Sequence, residues 1–232
     1  MGSEAGAIDE ADFINGIVSD NIGLIPRFLS DIFDSLFRRK EASEKASLRN
    51  SAAEKSVSLV DFQVSASFLE VYGEDIFDLL DENRASLKIR EDANKEVVVV
   101  GLKQIQINNS VDAMNVLNTG TMNRTTAATL MNVTSSRSHA CFVVNLKQIT
   151  RSADGDDVTT ASRFTFVDLA GSERMKKTGA EGARAKEGIK INEGLLALGN
   201  VINALGDEEM LAKGERVHVV RNGFFSANRR FG

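Results

Sequence analysis

The chain has 232 residues, a mass of 25.2 kDa and 42% hydrophobic residues, enough for one large domain or two small ones, with a single core the simpler expectation. A formal net charge of −5 and a pI near 5.2 exclude a nucleic-acid-binding surface spread over the whole molecule, so an anionic partner has to be met by a local basic patch. The single cysteine, Cys141, excludes a disulfide framework and a thiolate metal cluster, and the longest apolar runs, such as VVVVGL at 97–102, are too short to cross a bilayer; the reading is a soluble, intracellular chain with no membrane partner.

The N-terminal MGSEAGAIDE is acidic and lacks the apolar stretch of a secretory signal. Residues 25, 28, 29, 32, 33 and 36 are apolar at the spacing of one helical face, with Pro26 in the first turn, which predicts a helix over Ile25–Phe37. The polar run RRKEASEKASLRNSAAEKSVS at 38–58 has no period and reads as a surface loop. Phe62, Val64, Ala66 and Phe68 then alternate as in a strand, followed by a short helical or turn segment around Asp75–Leu80. EVVVVGLKQIQI at 96–107 is a further strand candidate, preceded by the turn-like EDANK.

Ser110 is placed to cap a helix through Leu117, with Asp112 in its first turn. A strand over Ala140–Thr150, a polar hairpin loop RSADGDDVTTAS and a strand over Arg163–Leu169 follow, which makes the two strands antiparallel neighbours. The last regular element is a helix through INEGLLALGNVINAL, where Ile191, Leu195, Leu198, Ile202 and Leu205 recur at helical spacing and Gly206 supplies the stop. The tail VVRNGFFSANRRFG has no period and no acid. Strands interspersed with long helices predict α/β layers around one mixed sheet.

Two loops concentrate chemistry. In FVDLAGSE, at 166–173, an aspartate emerges at the carboxyl end of a strand, where α/β sheets place their ligand crevice. A carboxylate there suits water bound to Mg²⁺, and Gly171 has no Cβ to keep its N–H from a terminal phosphate. Alone, Asp-x-x-Gly is a common acidic turn. The second loop, NVTSSRSH at 132–139, carries hydroxyls suited to Mg²⁺ and phosphate oxygens and an Asn able to orient a water. A serine cluster alone is commonly a turn, and a histidine at a strand edge commonly a structural one. Their pairing changes the weight, because the two loops sit at the two strands that the hairpin joins, and Arg137 and Glu173 are then placed to bridge them.

NVTSSRSH and VDLAGSER resemble the switch I and switch II motifs of the kinesin motor domain, in that family's order and separation. The similarity continues through KTGAEGARAKEGIKINEGLLALGNVINAL, which resembles the switch II loop and relay helix, and includes FLEVYGEDIFDLLD and GLIPRFLSDIF; the relay helix is most similar to the chromokinesin-like branch. The resemblance implies a three-layer P-loop NTPase-like kinesin fold, a central mixed β-sheet flanked by helices, incomplete at both ends. It covers residues 1–219 as a partial motor domain and leaves 220–232 as a divergent tail.

Carried over residue by residue, the resemblance assigns Ser136 to Mg²⁺, Ser135 and Asn132 to the surroundings of the γ-phosphate and lytic water, and Asp168 to the metal through a water. Gly171 becomes the amide that senses the γ-phosphate, and Arg137 and Glu173 the bridge that closes the switches. Ser138, His139, Leu169, Ala170, Ser172 and Asn192 support these groups. The implied reaction is ATP hydrolysis, with relay-helix movement as its output.

Between Arg174 and Asn192 six cations face two acids, a local basic excess on an acidic chain. A solvated loop is the reading of these residues by themselves. With the resemblance, Arg174, Lys176, Lys177 and Lys190 become the surface that meets microtubules through acidic tubulin, with attraction that weakens in salt, and Lys95 and Lys103 a second contact loop.

The sequence also departs from the family. No Gly-Lys-Ser or Gly-Lys-Thr occurs, so the Walker A loop G-x-x-x-x-G-K-[ST] that cradles phosphates is missing. The opening MGSEAG matches the Met-Gly pair that follows that loop in kinesins. The expectation is thus part of a microtubule-stimulated ATPase, not competent in hydrolysis as this chain alone, and unstable or partner-dependent through exposed strand edges. The alternative is a naturally truncated, non-hydrolysing module that binds tubulin or another kinesin chain. An unrelated GTPase is disfavoured because no Asn-Lys-x-Asp base-reading motif is present.

Overall fold

The structure, a computed structural model, describes residues 23–48, 57–93, 97–131, 138–152 and 154–171, together with four helical positions, Leu196, Gly199, Asn200 and Asn203. The elements in chain order are helix α1 (Leu24–Leu48), strands β1 (Ser58–Tyr72), β2 (Asp75–Asp78), β3 (Ser86–Glu91), β4 (Val97–Val100) and β5 (Ile105–Ile107), helix α2 (Ser110–Met131), and strands β6 (His139–Arg151) and β7 (Asp157–Asp168). Hydrogen bonding orders the strands β4-β3-β2-β1-β6-β7, with β5 also paired to β1. The expected α/β class is present. The expected relay helix falls almost wholly outside the described residues, as do the basic stretch from Arg174 and the tail.

The chain divides into two compact units. One takes the chain up to Phe68, Gln104–Thr121 and Phe142–Phe166; the other takes Leu69–Lys103, Met122–Cys141 and the chain from Val167.

In the first unit, α1 turns Leu29, Phe33 and Leu36 inward, all at most 2% exposed. Phe28 meets Phe164 and Phe166 of β7 at ring separations of 4.9 and 5.0 Å, and Phe37 meets Phe62 of β1 edge-on at 5.5 Å. These rings are only partly buried, so each contributes less than the roughly 1.5–3 kcal/mol of a fully buried aromatic. The helix does not stop at Phe37 but continues to Leu48, through residues expected to form a loop. Apolar periodicity ends at Phe37, and polar anchoring replaces it. Arg39 donates to Gln148 of β6 at 2.9 Å, Lys40 pairs with Asp61 of β1 at 2.9 Å, and the Ser43 hydroxyl accepts the Leu59 N–H at 3.0 Å. The side chains Glu41 and Lys45 add an i,i+4 pair along the helix surface.

β1 is longer than its alternating core suggested, and it pairs antiparallel with β5 at Val64↔Ile107 and Ala66↔Ile105. The β6–β7 hairpin is tighter than expected. Ser152 N–H donates to Asp156 O at 2.8 Å, so β7 begins at Asp157 rather than Arg163, and Thr150–Val158 and Asn145–Arg163 contacts step in opposite directions, as an antiparallel pair requires.

The start of α2 corrects the cap assigned to Ser110, which is the helix's first residue. Asn109 Oδ1 accepts the Asp112 N–H at 2.8 Å, which makes Asn109 the cap, one residue earlier, and Asp112 Oδ2 accepts the N–H of the preceding Asn108 at 3.0 Å. The helix also passes Leu117 and runs to Met131. Its second half carries Gly120, Asn123 and Arg124 inward in place of apolar residues, which hides the period, while Thr119, Thr121 and Thr126 return their hydroxyls to carbonyls four residues back.

In the second unit, the end of β1 turns through Gly73-Glu74 into β2, with Tyr72↔Asp75 closing a two-residue hairpin. Gly73 has φ 61 and Glu74 a negative φ, so the turn needs its glycine at the first position. β2 replaces the expected helical or turn segment: Ile76 and Asp78 share a buried face, and only Leu79–Leu80 form the turn. The buried Asp78 carboxylate accepts the Leu80 and Lys103 N–H groups at 2.8 and 2.7 Å, which satisfies it without a countercharge. β3 had no counterpart in the sequence reading, because only Leu87 and Ile89 alternate with Lys88, Arg90 and the terminal acid. The single strand expected over 96–107 is two, β4 and β5, broken at Gly101 with φ 83. Leu69, Val71 and Ile76 form the local core, covered by Leu87, Ile89, Val99, Leu102 and Cys141.

Candidate functional site

The second unit brings the described parts of both predicted loops together. β7 ends on Asp168, whose side chain is 68% exposed. Ala170 is buried and Leu169 half exposed at 42%. β6 begins on His139, and Ser138 and His139 are both buried. The Ala170 N–H donates to His139 Nδ1 at 3.0 Å, which fixes the imidazole with its proton on Nε2 when neutral and ties the loop after β7 to the strand after the serine loop.

Arg124, reaching from α2, makes a second tie. Its Nη1 donates to Asp168 Oδ2 at 2.6 Å, while Nη2 donates to the Ser138 carbonyl at 3.0 Å and to its hydroxyl at 3.3 Å. Behind it stands Glu70 of β1, 6% exposed. The Ser138 hydroxyl donates to Glu70 Oε1 at 2.6 Å, Arg84 Nη2 donates to Oε2 at 2.7 Å, and Arg124 Nε lies 3.5 Å from Oε1. One buried carboxylate therefore faces two guanidiniums and a hydroxyl, the degree of satisfaction a buried charge requires.

Burial holds the His139 imidazole below its ordinary pKa of 6.5; the Arg124 charge pushes the same way and Asp168 opposes. Burial likewise pushes the Cys141 thiol up to about 11, with Arg124 opposing. The histidine is thus a neutral acceptor at physiological pH, and the cysteine an inert thiol.

Among the described residues no group of three or more His, Cys, Asp and Glu converges on a metal position. The exposed Asp168 carboxylate suits a hard divalent cation that keeps most of its waters and takes few protein ligands. Of the remaining expected site residues, Gly171 follows Ala170 and is half-buried. Asn132, Ser135, Ser136, Arg137, Ser172, Glu173 and Asn192 lie outside the described residues, so the expected Arg137–Glu173 bridge does too, as do Arg174, Lys176, Lys177, Lys190 and Lys95. Lys103 is described: its ammonium group engages Asp81 at 3.0 Å and the Leu80 carbonyl at 3.4 Å.

Sequence reasoning missed Glu70, Arg84 and Arg124. A signal for Glu70 existed, since it continues the inward parity of Val64, Ala66 and Phe68 along β1, and an acid at a buried position demands a basic partner. The identity of that partner, from residues distant in sequence, was not readable.

The described residues define the general class: an α/β chain in which the loop end after β7 is tied to the start of β6 and to α2. The comparisons with known proteins make the family specific. The kinesin motor domain family matches residues 13–220, and the chain belongs to that family. It is 43% identical over 213 residues to kinesin-like protein KIF21B of Mus musculus, covering 80% of this chain and 12% of that protein. It is 44% identical over 215 residues to kinesin-like protein klp-12 of Caenorhabditis elegans, covering 86% and 13% respectively. Among solved structures, a fast kinesin superposes with a TM-score of 0.64 at 35% identity, over 92% of this chain and 51% of that one. A KIF14 dimer with AMP-PNP in complex with a microtubule gives 0.63 at 34% identity, over 87% and 52%. The chain thus spans about an eighth of those curated relatives and about half of those solved chains. No described helix is long and apolar enough to cross a membrane.

Proposed function

We propose that this chain supplies the switch portion of a kinesin-type motor that couples ATP binding and hydrolysis to movement along microtubules, as a cytoplasmic, microtubule-associated protein. The observation that carries the reading is the tie between the two loop ends, Ala170 to His139 and Asp168 through Arg124 to Ser138, in a chain of this family. A change at one loop then has a direct path to the other.

Asp168 and Ser136 are the residues that would hold Mg²⁺, Asp168 through a water. Bound Mg·ATP supplies the phosphoryl group and neutralises its developing charge. The chain's own part is positional. Gly171 presents a backbone N–H without a Cβ in the way, Ser135 and Asn132 order the attacking water, and Arg137 with Glu173 closes the loops over it. Ser138, His139, Leu169, Ala170, Ser172 and Asn192 hold those groups in register. Arg174, Lys176, Lys177 and Lys190 meet the acidic tubulin surface.

The sequence contains no Gly-Lys-Ser or Gly-Lys-Thr, which favours a second reading for these 232 residues by themselves: attachment to tubulin, or to another kinesin chain, without turnover. Microtubule co-pelleting across a salt series, with phosphate release measured in parallel, tests both. Salt-sensitive pelleting with microtubule-stimulated phosphate release supports the motor reading. Pelleting without release supports the second, and failure to pellet at low salt removes the microtubule assignment.

A further inference from the structure

We propose that Asp154-Gly155, at the tip of the β6–β7 hairpin, is a modification site at which the folded chain forms isoaspartate spontaneously, at a rate set by opening of the hairpin end. The product is an isoaspartyl carboxylate, the substrate class of protein carboxyl methyltransferases.

The reaction needs nothing beyond water. The Gly155 backbone nitrogen attacks Cγ of the protonated Asp154 side chain. A C–N bond forms, the Cγ–OH bond breaks, and the hydroxyl leaves with the amide proton as water. The cyclic imide then takes one water back. Hydrolysis at the Asp154 backbone carbonyl leaves the main chain running through Cγ, longer by one methylene, with the carboxylate now on Cα. Nothing is oxidised or reduced, and the mass is unchanged.

The hairpin tip is suited to the first step. Asp154 and Gly155 are both exposed, and none of the described residues bonds to the Asp154 carboxylate, which leaves it free to turn toward the chain. Gly155 has φ 95, and a Cβ built on it would meet nothing within 4 Å, so neither a side chain nor a neighbour crowds the attack.

The turn bonds oppose it. The Gly155 N–H donates to Ser152 O at 3.1 Å, the Asp154 N–H to Ser152 Oγ at 3.3 Å, and the Ser152 N–H to Asp156 O at 2.8 Å. An amide proton held by Ser152 O is not free to leave, so attack waits until the hairpin end opens. The outermost tie between the strands there is Arg151 with Asp157, at 2.8 and 3.0 Å. Both side chains are exposed, and an exposed pair is a weak clamp, so opening is a local event that does not require global unfolding. Once formed, the extra methylene falls inside the span that Ser152 and Asp156 close, and the turn bonds lose their match.

The test is peptide mapping of the full chain aged at neutral pH, folded and in urea. Trypsin cuts after Arg151 and Arg163, and residues 152–163 hold the chain's only Asp-Gly pair, while Asn15-Gly16 and Asn222-Gly223 fall in other peptides. Folded wild type should accumulate a second species of residues 152–163 with the same mass, marked as isoaspartyl by fragmentation between Cα and Cβ. Asp154→Glu, whose longer side chain closes the ring far more slowly, should lack it. Asp157→Ser should form it faster, by up to about fivefold, and the chain in urea faster still. Treatment with a protein isoaspartyl methyltransferase and S-adenosylmethionine should deplete it, through a methyl ester that releases methanol on returning to the imide. Absence of the species from folded wild type, over a period in which the chain in urea forms it, overturns the proposal. Equal rates in the folded and urea-unfolded chains overturn the control by hairpin opening, an unchanged rate in Asp157→Ser removes the ion pair from that control, and a species that survives the methyltransferase overturns the substrate assignment.

Discussion

Arg84 and Glu70, fourteen residues apart, form a partly buried ion pair at 2.7 Å, the arginine side chain 22% exposed, in which the arginine backbone lies in the left-handed region, with φ 42. A non-glycine residue there carries a conformational cost of about 1–2 kcal/mol. The side chain offsets it: besides Glu70, the guanidinium donates to Asn123 O at 3.3 Å and lies 5.2 Å from the centre of the Phe77 ring. Glu70→Ala leaves the Arg84 and Arg124 charges underpaired and should lose about 3 kcal/mol of stability, whereas Arg84→Ala leaves Glu70 with Arg124 and the Ser138 hydroxyl and should lose less. Because both break one network, the double variant should lose well under the sum. Urea unfolding of the three variants checks this, and additive losses would show that the two residues act separately.

Gly120 sets two expectations against each other. Helix propensity alone says that Gly120→Ala, in mid-helix, stabilises by about 1 kcal/mol. The structure says otherwise, because a Cβ at this position would lie 2.9 Å from Phe68 Cε1 and closer still to Cδ1. Phe68 has little freedom to retreat, being 6% exposed and packed edge-on to Phe142 at 5.4 Å. Overpacking of this kind costs about 1–3 kcal/mol, so the net effect should be a lower Tm. Adding Phe68→Leu should recover part of the Gly120→Ala loss; a Gly120→Ala variant that melts higher than wild type would show that the helix and ring separate easily.

His139 gives the protein an acid-side sensitivity. Its folded pKa lies below 6.5, first through burial and then through Arg124, so the unfolded chain binds the proton more tightly. Its contribution is fully present above the unfolded pKa and is lost as pH falls from about 6.5 through the folded value. Protonation also removes the acceptor lone pair that Ala170 N–H uses. Stability measured from pH 7.5 down to 5.5 should fall in wild type and fall less steeply in His139→Gln. Parallel slopes in the two proteins would assign the acid sensitivity to other groups.

What the sequence revealed, and what it hid, divides along one physical line. Elements stabilised by repeating apolar burial were legible: the first turns of α1, the centre of β1, and the strands on either side of the β6–β7 hairpin. Elements held by specific polar contacts were not. The second half of α1 depends on Arg39, Lys40 and Ser43, and the second half of α2 turns Gly120, Asn123 and Arg124 inward, so neither shows a period. β3 has only two apolar residues with which to announce itself. The same line runs through the site. Asp168, Ser138 and His139 stand in short local motifs, whereas the Glu70–Arg84–Arg124 network is assembled from β1, the turn before β3 and α2, and no local pattern records which distant residues will meet.

Cys141 supplies a prediction on the alkaline side. Near the start of β6, it packs against Leu69, Val71 and Ile76, and burial pushes its thiol up to about 11, above an ordinary value of 9.0. Two pH units mean roughly a hundredfold less thiolate than an unburied cysteine at the same pH. Reaction with a thiol-selective disulfide reagent at pH 7.5 should therefore be slower than that of the urea-unfolded chain by about that factor, with steric shielding adding to it. The linkage has a definite sign: ionisation favours the unfolded chain, so the contribution is complete below about 9 and is lost as pH rises toward 11, by about 2–3 kcal/mol at most. Cys141→Ala leaves a small cavity and should be less stable at pH 7.5, yet lose less between pH 9 and 11 than wild type. Labelling of the folded protein at the unfolded rate would instead mean that the β6 end opens freely, and the tie from His139 to Ala170, two residues away, would have to open with it.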